Sequence, residues 1–237
     1  DFKIMGEIIF IAAAAVILFA AILIKIQELP YFRKKQIGAE GEEKTNAVLR
    51  KFAKKHNCLM MTNVFLPLYD GTCEIDHILF GKFGAAVIET KNISGELSGT
   101  GRQLVHTVGK NSYTMYNPAL QNETHVKNIQ YHLTKAGYKN VPVYSFVVFT
   151  SDNIKFPDSV GIRLSELEKN LKKLPDNKCD YKKLFMAIKQ MTLMQRVSSG
   201  NKKFEVSGDI IVPDIKPDIV SITTSNANTY IYKEEIS

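Results

Sequence analysis

Three strand-like runs, Leu59 to Leu66, Glu74 to Phe80 and Ala85 to Asn92, follow one another with Asp70-Gly71 and Gly81 to Gly84 between them. Short β-prone runs bounded by such turn residues read as a meander. In the second run Ile75 and Leu79 are expected to point one way and Ile78 and Phe80 the other, and in the third Val87 and Ile88 divide likewise. A strand apolar on both faces has to be covered on both, which points to an α/β fold with helices above and below a central sheet. The chain has 237 residues, 45% apolar and 23% charged. That length suits one domain or one plus an appendage, and that composition excludes a disordered or collagen-like polymer.

The covering helices can be located from their apolar stripes. Ala39 to His56 carries Val48, Leu49 and Phe52 on one face, with Lys44, Arg50, Lys51, Lys54 and Lys55 mostly off it. A second helix follows Asn117 and Pro118, a capping residue and a first-turn proline, with Val126, Ile129, Leu133 and Ala136 as its stripe before Gly137. Gln121, His125 and His132 run along a neighbouring stripe, where His125 and His132 read as boundary polar groups. Val141 to Thr150 reads as a further strand, and Ser165 to Leu174 and Tyr181 to Val197 as two basic amphipathic helices. From Ser207 to Ser237 short alternating runs broken by Pro213 and Pro217 suggest an edge hairpin or a tail.

Charges inside strands that should be buried are the chemically informative feature. Glu89 and Lys91 are two residues apart and so project from one face of the third run. If the second and third runs form a hairpin, Asp76 comes opposite or diagonal to Glu89. Two converged carboxylates repel unless a cation lies between them, and oxygen-only ligation suits Mg²⁺ or Mn²⁺ completed by waters. Such an ion can generate a nucleophile from water and stabilise charge on a transferring phosphoryl group, with Lys91 assisting. The competing reading is a structural Asp/Glu/Lys ion cluster. Glu42 lies in line with Thr45, Leu49 and Phe52 on the face to be buried, so it either meets a cation or hydrogen-bonding site or stays wet in the first helical turn. His77 alternates away from Asp76 and reads as a core or interlayer residue.

The ordered series Gly38-x-x-Gly41-Glu42, Glu74-Ile75-Asp76-His77, Gly84 to Asn92, Ser94-Gly95 and Asn117-Pro118-x-x-Gln121-Asn122 resembles the nuclease-related domain family, grouped with the PD-(D/E)xK phosphodiesterases. The resemblance covers about Gln36 to Thr150. It implies a restriction-endonuclease-like, three-layer α/β/α sandwich around a mixed central sheet. It also implies Asp76 and Glu89 as metal ligands, joined by the backbone carbonyl of Thr90, with Lys91 as the catalytic lysine, Glu42 as the acidic residue from the first helix and Gln121 as a polar residue turned toward the site. Family members commonly carry tryptophans near the Asn-x-Ser-Gly segment; this chain has none, and Ile93 stands at the first such place.

Residues Ile8 to Ile24 form an uncharged run of 17 with no polar side chain. At about 1.5 Å per residue it reaches roughly 26 Å, close to the ~30 Å of a hydrocarbon core once Lys25 snorkels and Ile26 extends it. A transmembrane helix over 8–27 is preferred to a cleaved signal peptide, because Glu7 replaces a basic leader and no small-x-small site precedes Pro30. Lys25, Arg33, Lys34 and Lys35 follow the run and only Lys3 precedes it, which places the N-terminus outside the cell membrane and the rest in the cytoplasm. Cys58, Cys73 and Cys179, an odd number without metal-type spacing, suit a reducing compartment and read as small hydrophobes. The net charge of +7 concentrates in 165–203, with 10 basic and 4 acidic groups, a stretch that could meet polyanions or anionic lipid or simply be a solvated face.

The resulting expectation divides the chain into a flank (1–7), the membrane helix (8–27), a basic linker (28–37), the nuclease-related core (38–150), a helical extension (151–200) and a polar tail or hairpin (201–237). Its function is expected to be Mg²⁺- or Mn²⁺-dependent hydrolysis of nucleic acid, with DNA preferred on family analogy. The alternative is a membrane-tethered module on the same fold that binds nucleic acid or a protein without cutting.

Overall fold

The computed structural model of the chain describes residues 12–13, 15–19, 25, 30–68, 71–198, 219–224 and 227–232. Most of the expected membrane helix over 8–27, and of the tail over 201–237, lies outside these residues. Among those described, no helix is long and apolar enough to cross a membrane.

Helix α1 runs over Pro30–His56 and leads into strands β1 (Leu59–Leu68), β2 (Gly71–Gly81) and β3 (Gly84–Lys91). The helix begins nine residues before the expected Ala39, because nothing from Pro30 onward breaks it: Gly38 has only open space around it and keeps helical geometry. Strands β1, β2 and β3 form the antiparallel meander, with Leu59 opposite Phe80 and His77 opposite Ile88. After β3 the chain builds β4 (Gly95–Ser98), β5 (Gln103–Val108), β6 (Asn111–Tyr116) and helix α2 (Pro118–Lys135) before β7 (Val143–Phe149). A strand parallel to its predecessor needs a crossover, and α2 supplies it: β7 pairs parallel to β3, Glu89 opposite Val147. Two short strands, β8 (Ile154–Lys155) and β9 (Ile162–Arg163), precede helices α3 (Leu164–Leu171) and α4 (Tyr181–Ser198). A last antiparallel pair joins β10 (Ile219–Thr224) to β11 (Ala227–Tyr232), within the stretch expected to hold a hairpin.

The protein is a mixed α/β structure with two mixed sheets, an arrangement consistent with a nuclease-like fold. The central sheet has the order β1-β2-β3-β7-β9, and a smaller one has the order β6-β5-β4-β8. On one face of the central sheet Leu49, Phe52 and Ala53 of α1 and Leu167 and Leu171 of α3 pack on Met60, Leu79, Ala86, Ile88 and Val148. On the other, Ile129 and Leu133 of α2 and Leu184, Phe185 and Ile188 of α4 pack on Ile75, Ile78, Phe80 and Val87. The small sheet was not anticipated from the sequence. Among its inward residues Leu97, Leu104, Met115 and Ile154 close against Val147 and Phe149 at the end of β7.

One expected side-chain direction is corrected. Ile75 shares the α2 side with Ile78 and Phe80 and does not point with Leu79. Strict alternation cannot give this, so β2 changes face between Ile75 and Ile78, and β1 does the same between Met61 and Val64. The residue of β1 at that point is Asn63, whose φ of +50° falls in the left-handed region that asparagine tolerates. By register Asn63 faces Asp76. The meander is therefore kinked at the position of its buried-strand aspartate.

Candidate active site

The paired register ends with His77 opposite Ile88, one residue short of Asp76 and Glu89. Asp76 does not complete the ladder with its backbone alone. The Thr90 N–H donates to Asp76 Oδ2 at 2.7 Å, so the aspartate side chain caps β3 where the strands separate. In a strand the N–H and C=O of one residue project toward the same neighbour, so the Thr90 carbonyl also faces the Asp76 side. The next carbonyl, that of Lys91, accordingly turns the other way and accepts from Thr150 N at 3.1 Å.

Glu89 shares the α2 side of β3 with Ala85 and Val87 and is 3% exposed. Its Oε1 accepts from Lys91 Nζ at 2.5 Å, and the same ammonium donates to Gln121 Oε1 at 3.2 Å. Gln121 is held by α2, whose start is fixed twice. Asn117 Oδ1 accepts from Ala119 N at 2.9 Å as an N-cap. Buried Asn122 donates to the Val87 carbonyl at 3.0 Å, to Ser145 Oγ at 2.8 Å and to the Phe146 carbonyl at 3.1 Å, which pins the helix to β3 and β7. Asn92 does the same for α1, donating to the Ile37 carbonyl at 2.7 Å. Gly41 lets α1 come this close: a Cβ there would lie 2.5 Å from Asn92 Cβ and 3.0 Å from Thr150 Oγ1.

That approach brings Glu42 to the same end of the sheet. Because α1 starts at Pro30, Glu42 is in the helix interior and not in a first turn, and it is half-buried. Burial, then Glu74 and Glu89, push its carboxyl above the usual range, with Lys91 opposing. Asp76 is pushed up to about 7, by burial first and then by Glu89, against the Thr90 hydrogen bond, with Glu42 adding to the rise and Lys91 resisting it. For Glu89 burial also acts upward, but the hydrogen bonds and charges of His125 and Lys91 prevail and hold it below its ordinary value. Five residues picked out by sequence, Glu42, Asp76, Glu89, Lys91 and Gln121, thus meet at one place, with Thr90 between two of them.

Two residues were missed. His125, expected at a boundary, is 7% exposed and places Nε2 3.3 Å from Glu89 Oε2, with Nδ1 2.9 Å from Cys73 Sγ. Burial acts downward on this imidazole, yet its contacts with Cys73 and Glu89 carry it up to about 9. The only sequence signal was its place four residues after Gln121, one helical turn along the same stripe. His132 is buried too and pairs its Nε2 with the Pro67 carbonyl at 3.0 Å, well down the helix from the site. His77 is a core residue, 1% exposed, and burial lowers it to about 4.

Burial first, and then the neighbouring carboxylates, push Glu42 and Asp76 upward. Among the described residues no three His, Cys, Asp or Glu side chains close around one point that could hold a metal ion. A Mg²⁺-type ion does not require that. It is ordinarily held by one or two carboxylates, with waters and substrate phosphates completing the shell. Asp76 and Glu89, with the Thr90 carbonyl on the same side, make an oxygen-only donor set that fits it.

Residues 37–150 match the family model of the nuclease-related domain. An uncharacterized protein of Bacillus anthracis is 30% identical over 96 residues, 40% of this chain and 45% of that protein, so the chain spans less than half the length of this relative. No solved structure matches the chain.

Proposed function

We propose that the protein is a membrane-tethered, divalent-metal-dependent nuclease that hydrolyses phosphodiester bonds of nucleic acid, DNA being the preferred substrate. The observation that carries this reading is the convergence of three carboxylates, Glu42, Asp76 and Glu89, on the Lys91 ammonium at one end of the sheet, within a stretch that matches a nuclease-related domain.

Asp76, Glu89 and the Thr90 carbonyl would hold Mg²⁺ or Mn²⁺, which when bound supplies Lewis-acid stabilisation of the phosphoryl oxygens and acidifies a water. The chain's own groups do the rest. Gln121 and Glu89 fix the Lys91 ammonium from two sides, so its charge is preorganised where negative charge grows in the transition state. Lys91 is 21% exposed at its side chain against 4% for Glu89, so it is the member of the pair that reaches solvent and a substrate phosphate. Glu42 closes the α1 side and adds a carboxylate that burial, then Glu74 and Glu89, push above its ordinary range.

Tethering is supported by the apolar run over 8–24, of which the described residues Val16, Ile17, Leu18 and Phe19 are helical and 62 to 70% exposed, a surface that a bilayer would cover. The basic residues after it favour a cytoplasmic domain. Gly41 packs beside Asn92 at the site, whereas His56 ends α1 near the Leu59 and Phe80 pair at the far end. The turns of α1 before Gly41 therefore project beyond the sheet at the site end, which supports a tether on that side.

The test is nicking of supercoiled DNA by the purified full chain in detergent. Activity that needs Mg²⁺ or Mn²⁺ and disappears in Asp76→Ala is expected. Metal-independent activity, or equal activity in Asp76→Ala, would sink the proposal, and DNA binding without cutting would favour the non-catalytic module.

A further inference from the structure

The two oxygens of Glu89 go to different partners. Oε1 meets Lys91 at 2.5 Å and Oε2 meets His125 Nε2 at 3.3 Å. Behind the imidazole, Nδ1 lies 2.9 Å from Cys73 Sγ. The three residues come from three elements, β3, α2 and β2, and are 3%, 7% and 5% exposed. A cysteine, a histidine and a carboxylate in a line is also the order of a nucleophilic triad. Here the thiol end is the buried one, and the line runs toward the carboxylate cluster, so the thiol has no route to a substrate.

Glutamate has three side-chain torsions, and in a site that must offer one oxygen at a defined place, the other oxygen has to be held. Partners behind ligating groups commonly do this. Cys73 belongs to the apolar cluster of Ile75, Val87 and Ile129, and its thiol is the group that meets Nδ1, so the thiol sets which ring nitrogen faces Glu89. We propose that His125, oriented by Cys73, is a positioning residue that clamps Glu89 Oε2 and so presents Oε1 to Lys91 and to the metal site. This rests on the reading of Glu89 as a metal ligand.

The experiment measures Mn²⁺ binding by the full chain in detergent, by calorimetry without nucleic acid, beside thermal unfolding. The variants are His125→Phe, His125→Gln, Cys73→Ala and Asp76→Ala. His125→Phe is expected to weaken Mn²⁺ about 10- to 100-fold, the usual loss when such a partner is removed. His125→Gln, which keeps an N–H donor near the Nε2 position, should restore affinity to within a few-fold, and Cys73→Ala should fall between. If His125→Phe does not fold, the ordering of wild type, His125→Gln and Cys73→Ala decides alone. Wild-type affinity in both His125→Phe and Cys73→Ala, with loss in Asp76→Ala, overturns the clamp and leaves the metal site standing. No Asp76-dependent Mn²⁺ binding in the wild type overturns both.

Discussion

The two ends of the β2–β3 hairpin make an instructive pair. At the turn end, Lys82 and Phe83 offer their carbonyls to the segment between α3 and α4. Asn177 N and Cys179 N donate to Lys82 O at 3.1 and 3.0 Å, and Asn177 Nδ2 donates to Phe83 O at 2.9 Å. The charges there are on the surface: Lys82 and Asp176 are 3.9 Å apart and mostly exposed. At the open end the strands part around Asp76, and carboxylates are buried beside one lysine. The same strands thus carry two kinds of polar group, one met by backbone and amide donors at the surface, the other carboxylates packed beside Lys91 and His125.

The sharpest way to break the comparison is to remove a lysine from each end. Lys91→Met should lower metal-dependent nicking by about 10²- to 10⁴-fold, the range for a group acting in a transition state. Lys82→Met should leave it within two-fold, since an exposed pair contributes at most about 1 kcal/mol to stability. Equal losses would show that the ends do not differ in function.

A second difference lies in pH response. His77, next to Asp76, is neutral in the fold with a pKa of about 4, but takes a proton near 6.5 when unfolded. The unfolded chain therefore binds more protons between those values, and the His77 contribution falls as pH drops from 6.5 to 4, by about 3 kcal/mol in all. Asp76 acts oppositely, because its raised pKa makes the fold gain stability as pH falls through about 7. The difference between wild type and His77→Leu isolates the histidine. Urea unfolding at pH 7 and pH 4.5 should show the variant losing less stability, and parallel losses would refute the assignment.

The glycines sharpen the contrast further. Gly41→Ala gains up to about 1 kcal/mol of helix propensity, but its methyl would meet Asn92 Cβ at 2.5 Å, an overpacking that costs about 1–3 kcal/mol. A modest loss of stability with a clear loss of nicking is expected, because α1 carries Glu42. Gly84, at the turn end, has a φ of +114° and faces the Pro142 carbonyl, so Gly84→Ala should destabilise more yet retain nicking when assayed well below its unfolding midpoint. Thermal scans beside nicking rates separate the two.

Much of the open end was legible because a short turn fixes register locally: the hairpin pairing up to His77 opposite Ile88, and Lys91 on the Glu89 face, follow from counting. What failed to show was whatever depends on how separate elements dock. His125 reaches Glu89 only because Asn122 sets α2 onto β3 and β7, and no periodicity reveals that. The face change at Asn63 and Asp76 was hidden for a different reason. It needs a left-handed residue in mid-strand, and Asn63 looked like an ordinary strand position. The small sheet was obscure because its strands bury little: β6 is exposed along nearly its whole length, so its sequence lacks the apolar alternation that marks a core strand.

The smallest expected effect concerns the basic extension. Lys178, Lys182 and Lys183 lie between α3 and α4 or at the start of α4, beside the Lys82 turn, while Lys91 ends β3 at the opposite end. Eight residues of strand separate the ends by roughly 26 Å, well beyond a Debye length of about 8 Å at physiological salt. Charge at one end is therefore screened from a phosphate being cleaved at the other. Changing the three lysines together to glutamine should leave kcat for nicking of a short duplex unchanged, and any effect should appear as weaker, salt-dependent association with long DNA. A fall in kcat on the short duplex at 0.15 M salt would mean that substrate spans both ends, and that the separation between them is not functional.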